Sequence, residues 1–309
     1  YDTHLRDESS YSVGLIGAVE EALAVGREAK VRVNIAHIKA LGVDAWGKSA
    51  EVIERIREAR AQGQEVTADQ YPYEASGTSL GAALLPRWAQ AGGTDSLLVR
   101  IRDPQRRPRL LEDMAENLRR RNGPDALLVT GGPDESLRGR TLAEIAAARG
   151  ADPLETALEI IAAGGARVGS FSMGEEDIRA FMQADFVMTG SDGSAGHPRK
   201  FGAYARKIRR YVVEDSLLTL ARMVEASTAQ PARALGLDGR GTLEEGAWAD
   251  IAVFDPAAVR DRATFLEPTL PAEGMRWVLV NGVLAVDDGR ATGALAGRAV
   301  ARAGSRPVS

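Results

Sequence analysis

Apolar residues recur at helical spacing from Val13 to Ala29, with Leu15, Ile16, Val19 and Leu23 on one face. The period then changes. Val31, Val33 and Ile35 alternate with polar neighbours, which predicts a strand, and His37 falls on the same parity. Val52, Ile53, Ile56 and Ala59 predict a second helix over Gly47 to Gln62, stopped by Gly63. Val66 to Tyr71 reads as a second strand. Strand, helix and strand at this spacing predict parallel pairing in an α/β fold.

The rhythm breaks between about residues 86 and 139. This stretch is rich in Arg and Pro and predicts one helix, Arg109 to Arg121, so it reads as an insertion on the scaffold. Acidic residues interleave its arginines, which favours a solvated helical face over a nucleic-acid surface. Asp152-Pro153-Leu154-Glu155 is a strong helix start, with Asp at the N-cap, Pro first in the helix and Glu at the third position. A short strand is predicted over Val168 to Phe171, a helix over Ile178 to Ala184, a buried strand over Phe186 to Thr189 and a helix over Leu217 to Ala226. After Gly236 the pattern becomes β-rich. Leu243 to Phe254 and Trp277 to Val286 read as strands, and Asn281-Gly282 marks a hairpin turn. Two parts are therefore expected: 1–235, carrying the insertion at about 86–139, and 236–309.

Composition narrows the class. The chain has 309 residues, 44% apolar and 27% charged, which suits a globular protein and argues against disorder. Its net charge of −4, with both signs interspersed, gives no mark of a nucleic-acid or anionic-membrane binder. No apolar run approaches the roughly 18 residues of a membrane span. The absence of cysteine excludes disulfides, iron–sulfur clusters and Cys-ligated zinc from this stretch, and suits the cytoplasm, the compartment expected here. The chain opens without Met, as if inside a strand, so a fragment of a longer polypeptide is expected.

Candidate chemistry gathers where strands end. His4 stands before Arg6-Asp7-Glu8 at one strand-to-helix boundary, and His37 closes an apolar strand. Asp192 follows another strand within Gly190-Ser191-Asp192-Gly193. In parallel α/β folds the C-terminal strand ends build the active site, and three polar residues on three such ends can form a metal site. Imidazole and carboxylate suit Zn²⁺, which lowers the pKa of a bound water to about 7 and polarises a carbonyl. A carboxylate beside that water can take its proton and pass it to a leaving amine. Read alone, Gly190 to Gly193 favours a plain turn. Arg199, after His197-Pro198, is either a bidentate partner for a carboxylate or half of a surface ion pair. Tyr71 either lines a pocket or closes the core, and Lys39 is either a pocket cation or a solvated loop residue.

Taken in order, these segments resemble the N-acyl-D-amino-acid deacylases (D-aminoacylases) of the amidohydrolase superfamily. The matching pieces are Thr3-His4-Leu5-Arg6-Asp7-Glu8, Ala36-His37-Ile38-Lys39, Asp69-Gln70-Tyr71-Pro72-Tyr73, Gly190-Ser191-Asp192-Gly193 and His197-Pro198-Arg199, with Gly246 to Pro256 and Val280-Asn281-Gly282 in the tail. The resemblance implies an α/β fold, the second half of a TIM-like metal-dependent barrel followed by strands of a small β-sandwich. It implies Zn²⁺ as cofactor, with His4, His37 and Asp192 at the metal. Asp192 would also be the catalytic base, and Lys39, Tyr71 and Arg199 would bind substrate. The implied reaction cleaves the amide of an N-acyl-D-amino acid to a carboxylate and a D-amino acid. The family's N-terminal His-x-His and bridging ligand, commonly cysteine, have no counterpart here, so the N-terminal half of the barrel is an expected partner. Neither nucleic acid nor membrane is expected. Two alternatives stand beside this reading: a cyclic-amide hydrolase of the dihydropyrimidinase or dihydroorotase kind, and a non-catalytic degenerate barrel subunit.

Overall fold

The computed structural model describes residues 1–300; residues 301–309 of the expected C-terminal portion lie outside them. Four short strands, β1 (Asp2–Thr3), β2 (Val33–Ile35), β3 (Val66–Gln70) and β7 (Val187–Thr189), form one parallel sheet in the order β1-β2-β3-β7. Between β1 and β2 runs the helix Gly14–Ala29, and between β2 and β3 the helix Ser49–Ala61. The first helix buries Leu15, Val19 and Leu23 on the apolar stripe read from the sequence. Each such side chain contributes about 1.5–3 kcal/mol relative to exposure. They pack against Val33, Ile35, Val66, Ala68 and Val187, the residues that face outward from the sheet. Gly26 lets helix and strand approach, because a Cβ there would stand 2.2 Å from Val33 Cγ2. The parity is strict: Asn34, Thr67 and Asp69 alternate with those apolar residues and point to the opposite face.

Three further strands form a separate antiparallel sheet in the order β4-β6-β5: β4 (Ala75–Ser79), β5 (Leu127–Gly131) and β6 (Arg167–Phe171). The predicted strand at 168–171 therefore pairs antiparallel, outside the main sheet. After the short helix Leu80–Leu84, the helices Arg87–Gln90, Gly93–Arg102 and Arg107–Arg120 stand where one helix was expected. Arginines mask their periodicity, yet Ile101, Leu110 and Met114 are buried with Leu127, Val129 and Val168 in a core of their own. Asp152 caps the helix Pro153–Ala162 by accepting from the backbone of Leu154 and Glu155 at 2.7 and 3.3 Å.

Arg199–Arg206, continued through Lys207–Glu214 as a wider π-helix, was not foreseen. Its cationic run lacks a plain apolar stripe, and one of its buried residues is Lys207. After Gly236 come β8 (Ile251–Phe254), β9 (Met275–Val280), β10 (Val283–Asp287) and β11 (Arg290–Ala291), an antiparallel meander. The predicted strand from Leu243 is shorter, since the polar 244–250 stretch forms turns. Asn281 and Gly282, at φ 50° and 81°, join β9 to β10 in a two-residue turn. No helix among the described residues is long and apolar enough to cross a membrane.

Candidate active site

His4 follows β1, His37 follows β2, Tyr71 follows β3 and Asp192 follows β7. Four parallel strands thus deliver four candidate side chains to one end of the sheet. His37 and Asp192 have φ of 38° and 42°, a left-handed backbone uncommon outside glycine. Such strain persists where surrounding structure holds it. At His37 the restraint is visible: its N–H donates to Asp69 Oδ1 at 3.0 Å, while Asp69 Oδ2 accepts from Asn34 Nδ2 at 3.0 Å. Gly190 packs against the same carboxylate, where a Cβ would lie 2.3 Å from Asp69 Oδ1.

His4 Nδ1 and His37 Nε2 stand 2.9 Å apart. Glu8 completes the cluster: His4, Glu8 and His37 each offer a donor atom, all within 4.8 Å of one another. Its Oε1 lies 3.1 Å from His37 Nδ1 and accepts from Lys39 Nζ. Burial alone would raise the Glu8 carboxyl; the Lys39 ammonium and the His37 ring outweigh it and hold its pKa at about 2. Burial lowers the pKa of Lys39, against the pull of Glu8. Burial also lowers that of His4, a shift toward the neutral imidazole that a metal requires. Two convergent imidazoles backed by an ionised carboxylate are nitrogen and oxygen donors that fit Zn²⁺.

Asp192 stands apart from that cluster. Its Oδ2 is 2.8 Å from Arg199 Nη1. Arg199 is buried, lies with its guanidinium carbon 4.4 Å from the Tyr71 ring centroid and donates through Nη2 to Ser194 Oγ at 3.0 Å. Its Nε and the Tyr71 hydroxyl are both buried without a hydrogen-bond partner. Burial raises the Tyr71 pKa, so the phenol keeps its proton. Lys39 lies 5.9 Å from the same ring centroid, on the side toward Glu8. His197 does not join the metal cluster. Its Nε2 donates to Ala75 O at 2.9 Å and its Nδ1 accepts from Arg199 N at 3.1 Å, and burial lowers its pKa to about 3. It ties β4 to the base of Arg199.

Sequence reasoning passed over Glu8 and Asp69 as working residues, though each had a signal. Glu8 is four residues after His4, and Asp69 is an acid on a strand otherwise alternating toward the core.

The amidohydrolase family profile matches residues 16–286. The N-acyl-D-glutamate deacylase of Alcaligenes xylosoxydans xylosoxydans is 36% identical over 286 residues, covering 91% of this chain and 50% of that protein. The crystal structure of a D-aminoacylase superposes with a TM-score of 0.78 at 34% identity, covering 98% of this chain and 56% of that one. The N-acyl-D-glutamate deacylase of Bordetella bronchiseptica, solved with zinc and a phosphonate mimic of the tetrahedral intermediate, gives a TM-score of 0.71 at 36% identity, with 94% and 54% coverage. The chain therefore belongs to the amidohydrolase family. It spans about half the length of the relatives it matches.

Proposed function

We propose that this chain is the C-terminal part of a metal-dependent deacylase that hydrolyses N-acyl-D-amino acids. The observation that carries the reading is the juxtaposition at one sheet end of two convergent imidazoles with a buried Arg199–Tyr71 pair retaining unsatisfied polar atoms. The parallel sheet is the second half of a TIM-like barrel, and the meander after Gly236 supplies strands of a small β-sandwich. The open edges of β1 and β7 accept the N-terminal half, which brings the remaining metal ligands.

His4 and His37 hold the metal, which when bound supplies a Lewis acid to polarise the acyl carbonyl and acidify water. Arg199 anchors the substrate carboxylate through its unpaired Nε, and the Tyr71 hydroxyl donates to the same end. Lys39, withdrawn from solvent beside Glu8, aids orientation of the acyl group. Asp192 takes the proton from the attacking water and returns it to the leaving nitrogen. Its contact with Arg199 aligns it with the substrate carboxylate. The products are a carboxylate and a D-amino acid. The test is hydrolysis of N-acetyl-D- and N-acetyl-L-amino acids by the full-length polypeptide, with zinc measured on the same sample. Turnover of the D series with bound zinc supports the reading; turnover of neither series at full zinc refutes it.

A further inference from the structure

We propose that Arg121 is a specificity-determining residue: it binds a carboxylate on the substrate's side chain, so the preferred substrates are N-acyl-D-amino acids whose side chain is acidic. The proposal rests on the deacylase reading above, in which Arg199 takes the α-carboxylate.

Arg119, Arg120 and Arg121 stand at the end of the helix Arg107–Arg120, and the third differs from the other two. Arg119 pairs with Asp44 at 2.7 Å, and Arg120 with Glu116 at 3.4 Å. Arg121 is only 8% exposed and has no carboxylate partner among the described residues. Its Nε donates to the Tyr11 hydroxyl at 2.8 Å, and its Nη1 lies 3.5 Å from Ser76 Oγ, a long contact. A buried charge ordinarily has an opposite charge beside it. The helix C-terminus favours a cation at this position and offsets part of that cost.

The surroundings of Arg121 are rich in donors. A guanidinium carries five N–H groups, and Tyr11 and Ser76 meet it with oxygen lone pairs, so each hydroxyl keeps its own proton to donate. A planar fork of N–H groups flanked by two O–H groups suits a carboxylate.

The place is the sheet end that carries the candidate site. Tyr11 lies three residues after Glu8, and Ser76 five residues after Tyr71. The helix end is pinned there. Asn117 Nδ2 donates to Leu84 O at 3.0 Å, and Arg120 O accepts from Val43 N at 3.0 Å, in the loop that follows Lys39. The strand β4 then relates two arginines. Ser76 faces Arg121, whereas Gly77 faces Arg199, whose Nη2 would lie 3.5 Å from a Cβ there. Successive strand residues point to opposite faces, so the two guanidiniums flank β4 from its two sides, one residue apart. β4 is also an edge of its sheet. A dicarboxylate lying across that edge meets Arg199 with its α-carboxylate and Arg121 with its side chain. A neutral side chain leaves the buried guanidinium unanswered, and a site built for a polar partner rejects such analogues strongly.

The test compares kcat/KM for N-acetyl-D-glutamate and N-acetyl-D-aspartate with that for N-acetyl-D-glutamine, an uncharged match in size to the first, in the full-length polypeptide. The wild type should prefer an acidic substrate by about 10–100-fold, the worth of hydrogen bonds to a charged group. Preference for either acid supports the proposal, and which one it is gives the side-chain length. Arg121→Met should collapse the preference with the melting temperature kept, since apolar replacement of a buried charge is tolerated. Arg121→Lys, which keeps the charge, should lose part of the preference with the fork. A wild type that takes N-acetyl-D-glutamine as well as both acids overturns the proposal. So does an equal fall on acidic and neutral substrates in Arg121→Met, the result expected if the N-terminal half supplies a carboxylate to Arg121. Hydrolysis of no N-acetyl-D-amino acid, acidic or neutral, refutes the deacylase reading itself, and the role of Arg121 with it.

Discussion

Asp69 and His37 are joined by a hydrogen bond from a backbone N–H to a carboxylate, 3.0 Å long, at a residue whose φ is 38°. An acid on one strand thereby fixes the main chain of a candidate ligand on the next. The same carboxylate leaves no room for a side chain at Gly190. Asp69→Ala should release the His37 backbone and lower zinc affinity by about 10-fold, toward the lower end for an outer partner. Gly190→Ala should displace Asp69 and act in the same direction. Chelator competition on both variants checks this, and unchanged affinity in both would free His37 from Asp69.

Asp192→Asn keeps the shape of the side chain and removes its basicity. The predicted result is a kcat lower by roughly 10²–10⁴-fold, with KM changed much less. Steady-state kinetics on N-acetyl-D-amino acids decide it. A raised KM with kcat intact would leave Asp192 as a binding residue only.

Arg199 touches Asp192, Ser194 and the Tyr71 ring, so Arg199→Lys loses the planar fork and its stacking together. An N-acyl amino acid should suffer a larger fall in kcat/KM than its C-terminal amide, which lacks the carboxylate charge. Equal losses on the two substrates would mean that Arg199 serves Asp192 and the local fold, without gripping the substrate.

Lys207 gives a prediction about stability. Its ammonium is buried, with Thr189 Oγ1 at 2.8 Å as acceptor. Burial first, then the Arg222 guanidinium, lowers its pKa from 10.5 to about 7. Between pH 7 and 10.5 the unfolded chain binds the extra proton, so this group makes stability rise with pH. Below pH 7 both states are charged and the full penalty remains, on the order of 5 kcal/mol. Lys207→Met should raise the melting temperature most at pH 6–7 and progressively less toward pH 10. A pH-independent difference would show that Lys207 does not titrate in the folded protein.

Much of this architecture was legible in the chain. Period-2 alternation marked β2, the run from Val66 to Tyr71 marked β3, Asp152 marked its helix start, and Asn281-Gly282 marked the hairpin. His37, Tyr71 and Asp192 were singled out because each follows a run that reads as a strand, and His4 because it stands at a strand-to-helix boundary. The insertion was less legible, because arginines cover the exposed faces of helices that bury only Ile101, Leu110, Met114 and the polar Asn117. The antiparallel partners of β6 lie some 40–90 residues upstream, a separation that no local pattern encodes. The ion pair of Asp192 with Arg199 is a tertiary fact invisible to spacing. Glu8 escaped notice for the same reason, since its partners Lys39 and His37 come from the next strand end.

The most direct test of the central claim is reconstitution of the full-length polypeptide after its metal has been stripped by a chelator. N-acetyl-D-amino acid hydrolysis is followed as zinc is titrated back. The account predicts no turnover in the stripped protein and activity rising in step with zinc bound. Full hydrolysis by the metal-free protein, or no hydrolysis at complete zinc occupancy, would contradict it.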